Sequence, residues 1–326
     1  MAATTQTATI ATVDDYFAGR KYRGLWSQAW TRLIRNRLAV AAAFVMALIV
    51  SMAVLTAGVP AIERYGWNER PDQLTIENAH AAPSSEHWLG TDAVGRDMWS
   101  RVWEGTRISL RIGIGTQIIV LTIGMAVGAA AALGGRFSDG ILMRFTDLTY
   151  AFPDLLAIIL LRAVMSERAW PVLGSGDPQI PGFPGPLIQV ILAISLVSWV
   201  LTARLVRGQM LALRETDYVT AARALGASSP RVVLNHMLPN TLGPVIVVAT
   251  IGIPVAIFAE AVLGFIGFGL PPPTASLGTL VNNGFDFFRV NRWEILAPAI
   301  AIAILMLTFT FLGDGLRDAL DPRTRE

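Results

Sequence analysis

The 326-residue sequence contains no cysteine and only three histidines. The lack of cysteine excludes disulfide scaffolds, thiolate zinc sites, iron–sulfur clusters and cysteine nucleophiles, and it removes redox chemistry as a guide to the compartment. The histidines are His80, His87 and His236, and no two of them have the His-Glu-x-x-His spacing of zinc hydrolases. Because a Gly-x-Ser-x-Gly elbow is also missing, we predict neither a catalytic residue nor a metal site.

Charged residues are scarce as well. They make up 15% of the sequence, whereas hydrophobic residues make up 53%. The net charge of +2 does not indicate nucleic-acid binding. Several apolar runs reach about 18 residues or more, and at about 1.5 Å per residue such a helix spans a bilayer core of roughly 30 Å. The composition therefore predicts an all-α, polytopic membrane protein.

The apolar runs predict six transmembrane helices, at residues 38–59, 110–133, 147–165, 187–206, 242–263 and 295–312. The first 37 residues are polar and basic and lack a signal-peptide pattern, so we expect them to stay in the cytoplasm. Six crossings then place both termini in the cytoplasm. The chain divides into a cytoplasmic N-terminal segment (1–37), a first transmembrane helix (38–59), an external segment (60–109) and a core of five transmembrane helices (110–326).

The longest interior loop of this topology, residues 207–241, is predicted to contain a short amphipathic helix. Asp217 is the expected N-cap and Gly226 the expected left-handed end. Its apolar face is formed by Tyr218, Ala221, Ala222 and Leu225. Periodicity alone leaves two interpretations open: a hairpin lying on the inner membrane leaflet, or a knob that docks into a groove of a cytoplasmic protein.

Four motifs carry a resemblance to a known family. Thr220-Ala-Ala-x-x-x-Gly226, followed after nine residues by His236-Met-Leu-Pro239, resembles the EAA loop of ABC importer permeases. The three other motifs, at residues 87–97, 260–273 and 313–322, are similar to the C-type permease subunit of dipeptide and oligopeptide ABC importers. Together the motifs stand in the order found in that family and extend over nearly the whole chain.

The resemblance implies a type I ABC importer permease fold in the cytoplasmic (inner) membrane. It implies that the helix at 218–225 is a coupling helix in a cleft of an ATP-binding subunit. The residues expected to make this contact are Tyr218, Thr220, Ala221, Ala222, Leu225 and Gly226. Thr220 stands where the family motif usually has glutamate, which removes a possible charged contact. The implied partners are a homologous second permease, two ATP-binding subunits, an external substrate-binding protein and membrane lipids.

The sequence has no nucleotide-binding loop of its own. A Walker A loop needs Gly-Lys followed by Ser or Thr, but the only lysine, Lys21, lies between Arg20 and Tyr22. We therefore expect this chain to hold no cofactor and to have no ATPase activity. By resemblance, ATP and magnesium are bound by the partner ATPase subunits.

Ionisable residues at membrane depth mark candidate positions in a translocation path, because each costs at least about 2.5 kcal/mol at a helix centre. Asp154 and Glu260 are the two candidates. The alternative for Asp154 is a bond within the bundle near Pro153, and for Glu260 it is snorkelling or pairing near the outer boundary. Arg162 is expected to be at that boundary too.

The external motif ahead of the second predicted span contains Asp92, Gly95, Arg96 and Asp97. These charges are expected to fix tight turns at Gly90 and Gly95 by charge-assisted hydrogen bonds, or to contact a substrate-binding protein. The structural interpretation is favoured, since a charge network of this kind stabilises turns.

The sequence as a whole predicts a permease subunit of an ATP-driven, binding-protein-dependent dipeptide or oligopeptide importer. It would form half of the translocation path. One alternative is a permease of the same family for nickel chelates or another small solute. A second is a proton-coupled carrier that uses Asp154 and Glu260 and needs no ATPase. The identity of the substrate does not follow from the sequence.

Overall fold

The computed structural model describes residues 25–56, 79–167 and 184–320. Its helices, in chain order, are α1 (Leu25–Arg35), α2 (Arg37–Leu55), α3 (Met98–Leu133), α4 (Gly135–Ala151), α5 (Asp154–Glu167), α6 (Gly185–Arg214), α7 (Asp217–Ala224), α8 (Ser229–Val232), α9 (Leu238–Phe265), α10 (Leu277–Phe285) and α11 (Trp293–Leu320). A π-helical turn, Val233–Met237, joins α8 to α9. Extended pairing within the described ranges is limited to one isolated bridge, between Thr91 and Asp97.

Five helical stretches in the described ranges are long and apolar enough to cross a membrane. They are α2, α3, α6, the continuous stretch Ser229–Phe265 and α11. A sixth crossing is available only if α4 and α5 together form one broken span. The fold is therefore nearly all helical, as predicted.

The predicted transmembrane helix at 147–165 is broken in the structure. The chain breaks at Phe152 and Pro153, and the axes of α4 and α5 differ by 89°. Proline lacks the N–H of a helical hydrogen bond, and it drives the preceding residue out of the helical region. Phe152 accordingly has φ −88° and ψ 137°. The sequence contains the signal for this break, because Pro153 lies within the predicted span.

The second predicted span begins earlier than expected. Helix α3 starts at Met98 and has 36 residues, so at about 1.5 Å per residue it is roughly 54 Å long. Its first turn is fixed by Asp97, whose carboxylate accepts a hydrogen bond from the Ser100 N–H at 2.9 Å. The predicted external segment, 60–109, thus ends inside a helix. Its residues 60–78 lie outside the described ranges.

Helices α3 and α6 form the centre of the bundle, and small residues let them approach closely. A Cβ added at Gly124 would lie 2.6 Å from the Thr202 Cβ, and one added at Gly128 would lie 2.6 Å from the Ala203 carbonyl oxygen. Both distances are shorter than side chains permit. The Gly-x-x-x-Gly spacing on α3 thus lets the backbones of α3 and α6 come close together and fixes the distance between these two helices.

The bundle has two ends that carry different features. At one end the short helices α7 and α8 follow α6, and at the other the turns before α3 lie near α10 and the start of α11. We call these the hairpin end and the opposite end. Because α3 runs the full length between them, they are separated by about 50 Å.

Candidate functional site

The hairpin, residues 215–241, is attached to α6 by a buried apolar cluster. Val219 of α7 and Val232 of α8 are fully buried, and they pack in one cluster with Met210 of α6 and Met237 ahead of α9. Full burial of an aliphatic side chain of this size contributes about 1.5–3 kcal/mol. The hairpin is therefore fixed to two long helices rather than held only by its chain ends.

The outward side of α7 is apolar and exposed. Tyr218, Ala221 and Leu225 are exposed at positions i, i+3 and i+7, which lie on one face of a helix. Tyr218 is 43% exposed and Leu225 is 89% exposed. Apolar side chains held outward on a buried support are suited to a groove in another protein.

The structure corrects the predicted apolar face at Ala222. The prediction placed Ala222 among the outward residues and Val219 elsewhere, but Val219 is buried and Ala222 is half-buried against the same cluster. Residues three apart share a helix face, so the burial of Val219 turns Ala222 inward with it. The signal that could have shown this is size, since Val219 is the bulkiest aliphatic residue of α7.

The start of α7 differs from the prediction by one residue. Thr216, with φ −81° and ψ 149°, is the cap, and Asp217 is the first helical residue. As an acidic residue in the first turn, Asp217 is favourably placed in the field of the helix dipole. Thr220 is exposed, and its hydroxyl donates to the Thr216 carbonyl oxygen at 3.2 Å. Thr220 therefore presents no charge to a partner.

The end of α7 is a left-handed turn at Gly226, as predicted. Gly226 has φ +85°, and its N–H donates to the Arg223 carbonyl oxygen at 2.9 Å. The N–H of Ala227 donates to the Ala222 carbonyl oxygen at 3.0 Å. These two bonds form a Schellman motif, which requires a residue that tolerates positive φ. Gly226 thus sets the direction in which the chain leaves α7.

A π-helical turn joins the hairpin to α9. It covers Val233–Met237, immediately before the Leu238-Pro239 pair of the motif. Pro239 cannot donate to the carbonyl of Asn235, and its ring clashes with that group, so regular α-helical bonding is interrupted here. The second half of the interior motif therefore marks the joint between the hairpin and a membrane-spanning helix.

The turn network, residues 87–101 at the opposite end, is organised around Asp92. Its carboxylate accepts hydrogen bonds from the N–H groups of Val94 at 3.0 Å and Arg96 at 2.9 Å. The same carboxylate accepts from the Arg96 Nε at 2.7 Å and lies 3.3 Å from the Arg101 Nε. Gly90 and Gly95 both have φ +78°. The charges in this motif therefore stabilise its turns.

Asp97 connects the network to α3. Besides capping the helix, its carboxylate is 2.9 Å from the His87 Nδ1. Both carboxylates of the motif are buried, Asp92 at 8% and Asp97 at 4% exposure. The two acidic side chains predicted in the external motif are thus buried inside the chain.

We predict that Asp92→Asn lowers the free energy of unfolding by about 3 kcal/mol, because removal of one partner of a buried pair leaves the other charge uncompensated. Arg101, at 3% exposure, is the charge left without its ion pair. Thermal unfolding of the detergent-solubilised chain measures the change. Asp147→Asn is the matched control: its carboxylate pairs with Arg204 at 2.7 Å but is 67% exposed, so its loss should cost less than about 1 kcal/mol. Equal effects would contradict the assignment.

The two candidates for the translocation path have different surroundings. Asp154 is exposed and is the first residue of α5, just after the chain break, rather than a residue inside a continuous membrane-spanning helix. This placement leaves its side chain accessible at the surface of the chain. The proposed path position of Asp154 therefore stays a prediction.

Glu260 lies inside the bundle shortly before the end of α9, which fits the predicted alternative of pairing rather than snorkelling or an open position on a path. It is 1% exposed, and its Oε2 accepts a hydrogen bond from the Ser109 hydroxyl of α3 at 3.1 Å. The Ser109 hydroxyl is also 3.4 Å from the Leu277 N–H. Glu260 is therefore joined to α3 through Ser109, which also contacts the start of α10, while its Oε1 is buried without a hydrogen-bond partner among the described residues.

Comparison with known proteins identifies two matching family models. Residues 121–326 match the model described as binding-protein-dependent transport system inner membrane component. Residues 24–83 match the N-terminal TM domain of oligopeptide transport permease C. The two matches include the hairpin and the bundle helices from within α3 onward.

Two relatives from Bacillus subtilis (strain 168) are similar over most of the chain. The oligopeptide transport system permease protein OppC is 37% identical over 307 residues, which are 94% of this chain and 92% of the relative. The dipeptide transport system permease protein DppC is 38% identical over 298 residues, or 91% and 85% of the two chains. A Brucella suis biovar 1 protein, described as a putative peptide permease, is 33% identical over 302 residues.

Solved structures support the same fold. A chain of the methionine ABC transporter MetNI, solved in inward-facing conformations, superposes with a TM-score of 0.53 at 18% identity, covering 69% of this chain and 97% of that chain. A second crystal form gives a TM-score of 0.50. At this identity the similarity shows the fold alone, which is that of type I ABC importer permeases.

Proposed function

Because the chain belongs to the family of binding-protein-dependent transport system inner membrane components, we propose that it is one permease subunit of an ATP-driven importer of dipeptides or oligopeptides. Members of this family work with ATPase and substrate-binding partners. The finer assembly that we propose has a homologous second permease, two ATP-binding subunits and one external binding protein. Peptide as the substrate is supported by the oligopeptide and dipeptide permeases among the relatives.

The observation that supports this function best is the construction of the hairpin. One side of α7 is buried through Val219, and the other presents Tyr218 and Leu225 to solvent. A helix lying on a lipid surface would need no rigid attachment to two bundle helices. A coupling element does need one, because displacement of its outward face must be carried onward without loss.

In the proposed mechanism, closure of the ATPase subunits on ATP displaces α7. The buried cluster passes the displacement to α6, and the π-helical turn passes it to α9. Packed helices have discrete arrangements rather than continuous ones, so a small shift at one end changes the opening at the other. Alternating access to the passage then follows from the movement of this bundle against its partner permease.

Reconstitution into proteoliposomes tests the proposal against a proton-coupled carrier. The complete assembly should take up peptide when ATP and the binding protein are present, and this chain alone should take up none under a pH gradient. Co-purification of ATPase subunits from the native membrane is the accompanying measurement. Uptake by the isolated chain, driven by protons and unaffected by ATP, would contradict the proposed function.

A further inference from the structure

A cavity of about 530 Å³ lies at the opposite end of the bundle from the hairpin. It is bounded by the start of α3, by α5, by α10 and by the loop that follows α9. Its polar lining side chains are Arg96, Arg101, Arg162, Thr274, Thr279, Asn282 and Asn283. None of the described residues that line it is acidic. The turn network and the latter part of the bundle thus enclose a space with a strongly basic wall.

The positive charge of this wall is only partly neutralised. Asp92 is shared by two guanidinium groups, those of Arg96 at 2.7 Å and Arg101 at 3.3 Å. Glu104, the next carboxylate along α3, forms an ion pair with Arg107. One carboxylate therefore serves two of the cavity's arginines, which leaves a surplus of positive charge before the third arginine is counted.

Arg162 adds a charge that has only neutral hydrogen-bond acceptors. Its Nη1 donates to the Gln189 Oε1 at 2.7 Å, and its Nη2 donates to the Gly269 carbonyl oxygen at 3.3 Å. Arg162 is 6% exposed and Arg101 is 3% exposed, and the Nε of Arg162 and the Nη1 of Arg101 have no acceptor among the described residues. Buried guanidinium groups of this kind are costly without an anionic partner.

The remaining wall is rigid. Gly267, with φ +89°, ends α9 in a second Schellman motif: its N–H donates to the Gly264 carbonyl oxygen at 3.2 Å and the Phe268 N–H to the Leu263 carbonyl oxygen at 2.8 Å. A Cβ at Gly264 would lie 2.7 Å from the Thr279 N, so α10 packs directly against α9 here. The two helices that flank the loop facing the arginines are therefore held firmly against each other.

We propose that this cavity binds the C-terminal carboxylate of a peptide as it enters the passage, an inference that rests on the peptide-import function proposed above. Planar guanidinium groups match a carboxylate in geometry and charge. The amides of Asn282 and Asn283 add donors and acceptors suited to peptide groups. The volume lies within the range of about 300–1,000 Å³ that is typical of small-molecule sites. A permease that moves peptides must accommodate their charged ends, and this cavity presents arginines to the negatively charged one.

The test compares a peptide with a free carboxylate, trialanine, and its C-terminal amide. Initial ATP-driven uptake of each is measured with the complete transporter in proteoliposomes, at peptide concentrations that saturate the binding protein. Arg162→Gln should lower uptake of trialanine by at least about tenfold and that of the amide by less than about twofold. The binding protein is the same in all assays. Its own preference between trialanine and the amide therefore cancels when the fold-loss of uptake caused by the substitution is compared between the two peptides.

Two further variants separate recognition from folding. Asn283 is exposed at the cavity rim, so Asn283→Asp adds a negative charge without disturbing the core, and it should reduce uptake of trialanine but not of the amide. Arg162→Lys, which keeps the charge, should recover part of the lost preference. Arg289→Gln removes an exposed arginine outside the cavity and should change neither rate.

The outcomes distinguish the inference from the function on which it rests. Equal losses for trialanine and its amide in both Arg162→Gln and Asn283→Asp would overturn the inference while ATP-driven peptide uptake by the unsubstituted transporter still stood. Equal losses accompanied by weaker affinity for the binding protein would overturn it as well, because the cavity would then hold an acidic side chain of that partner. No uptake of either peptide by the unsubstituted transporter would contradict the proposed function itself.

Discussion

Leu225→Asp is expected to reduce ATP-driven uptake by at least about thirtyfold, while the chain stays folded and inserted. Loss of an apolar anchor at the centre of a protein contact typically costs 2 kcal/mol or more, and a buried charge without a partner adds to that cost. In the chain by itself Leu225 is 89% exposed, so the substitution disturbs no internal packing. The substitution should therefore lower ATP-driven uptake without lowering the stability of the folded chain.

The measurement is uptake together with ATP hydrolysis in the reconstituted transporter. Size-exclusion elution of the solubilised chain shows whether folding is retained. The matched control is Leu234→Asp, since Leu234 is another exposed leucine of the hairpin, at 62% exposure, but lies in the π-helical turn rather than at the C-cap of α7. Full uptake by Leu225→Asp at normal expression would exclude α7 as the coupling contact, and equal losses in both variants would show that the whole hairpin is covered.

Gly128→Leu is expected to abolish accumulation of the folded chain. A Cβ at Gly128 would lie 2.6 Å from the Ala203 carbonyl oxygen and 2.8 Å from the Val206 Cβ, and a leucine adds three more carbons beyond it. The α3 and α6 backbones would have to separate, and this opens the core along both helices. Leucine favours helix formation over glycine by roughly 1 kcal/mol, so the loss cannot come from helix propensity.

Gly208→Leu is the matched control for this effect. Gly208 lies on α6, and nothing would contact a Cβ there within 4 Å. The same substitution should leave accumulation of the chain unchanged. Membrane-fraction yield and size-exclusion elution of the two variants measure the difference, and normal yield of Gly128→Leu would show that the close packing of α3 and α6 is dispensable.

The hairpin illustrates which structural features can be predicted from the local sequence alone. Gly226 could be predicted as a left-handed helix end, because few other residues tolerate that backbone conformation. The first residue of α7 was misplaced by one, since both Thr216 and Asp217 are acceptable caps. The inward turn of Ala222 could not be predicted from period alone, because Val219 and Leu225 are both apolar and only the packing cluster decides which is covered.

For the two charged candidates of the translocation path, the local sequence did not predict the surroundings. Asp154 and Glu260 are equivalent in sequence, each being an isolated carboxylate in an apolar stretch. The structure separates them, because Pro153 ends a helix next to Asp154, whereas Ser109 of a distant helix reaches Glu260. No local pattern could have indicated that second contact, since the two residues are 151 positions apart.

Apolar run length and the turn-forming glycines were enough to predict a helical membrane protein, because those properties depend on solvent and on neighbouring residues, and the resemblance of the motifs indicated the permease family. Which face of α7 is free, whether the 147–165 stretch is straight, and the gathering of Arg96, Arg101 and Arg162 around one cavity were decided by tertiary structure. The physical reason is that these features arise from contacts between helices, where close packing and the burial of charge select one arrangement among several that the sequence permits locally.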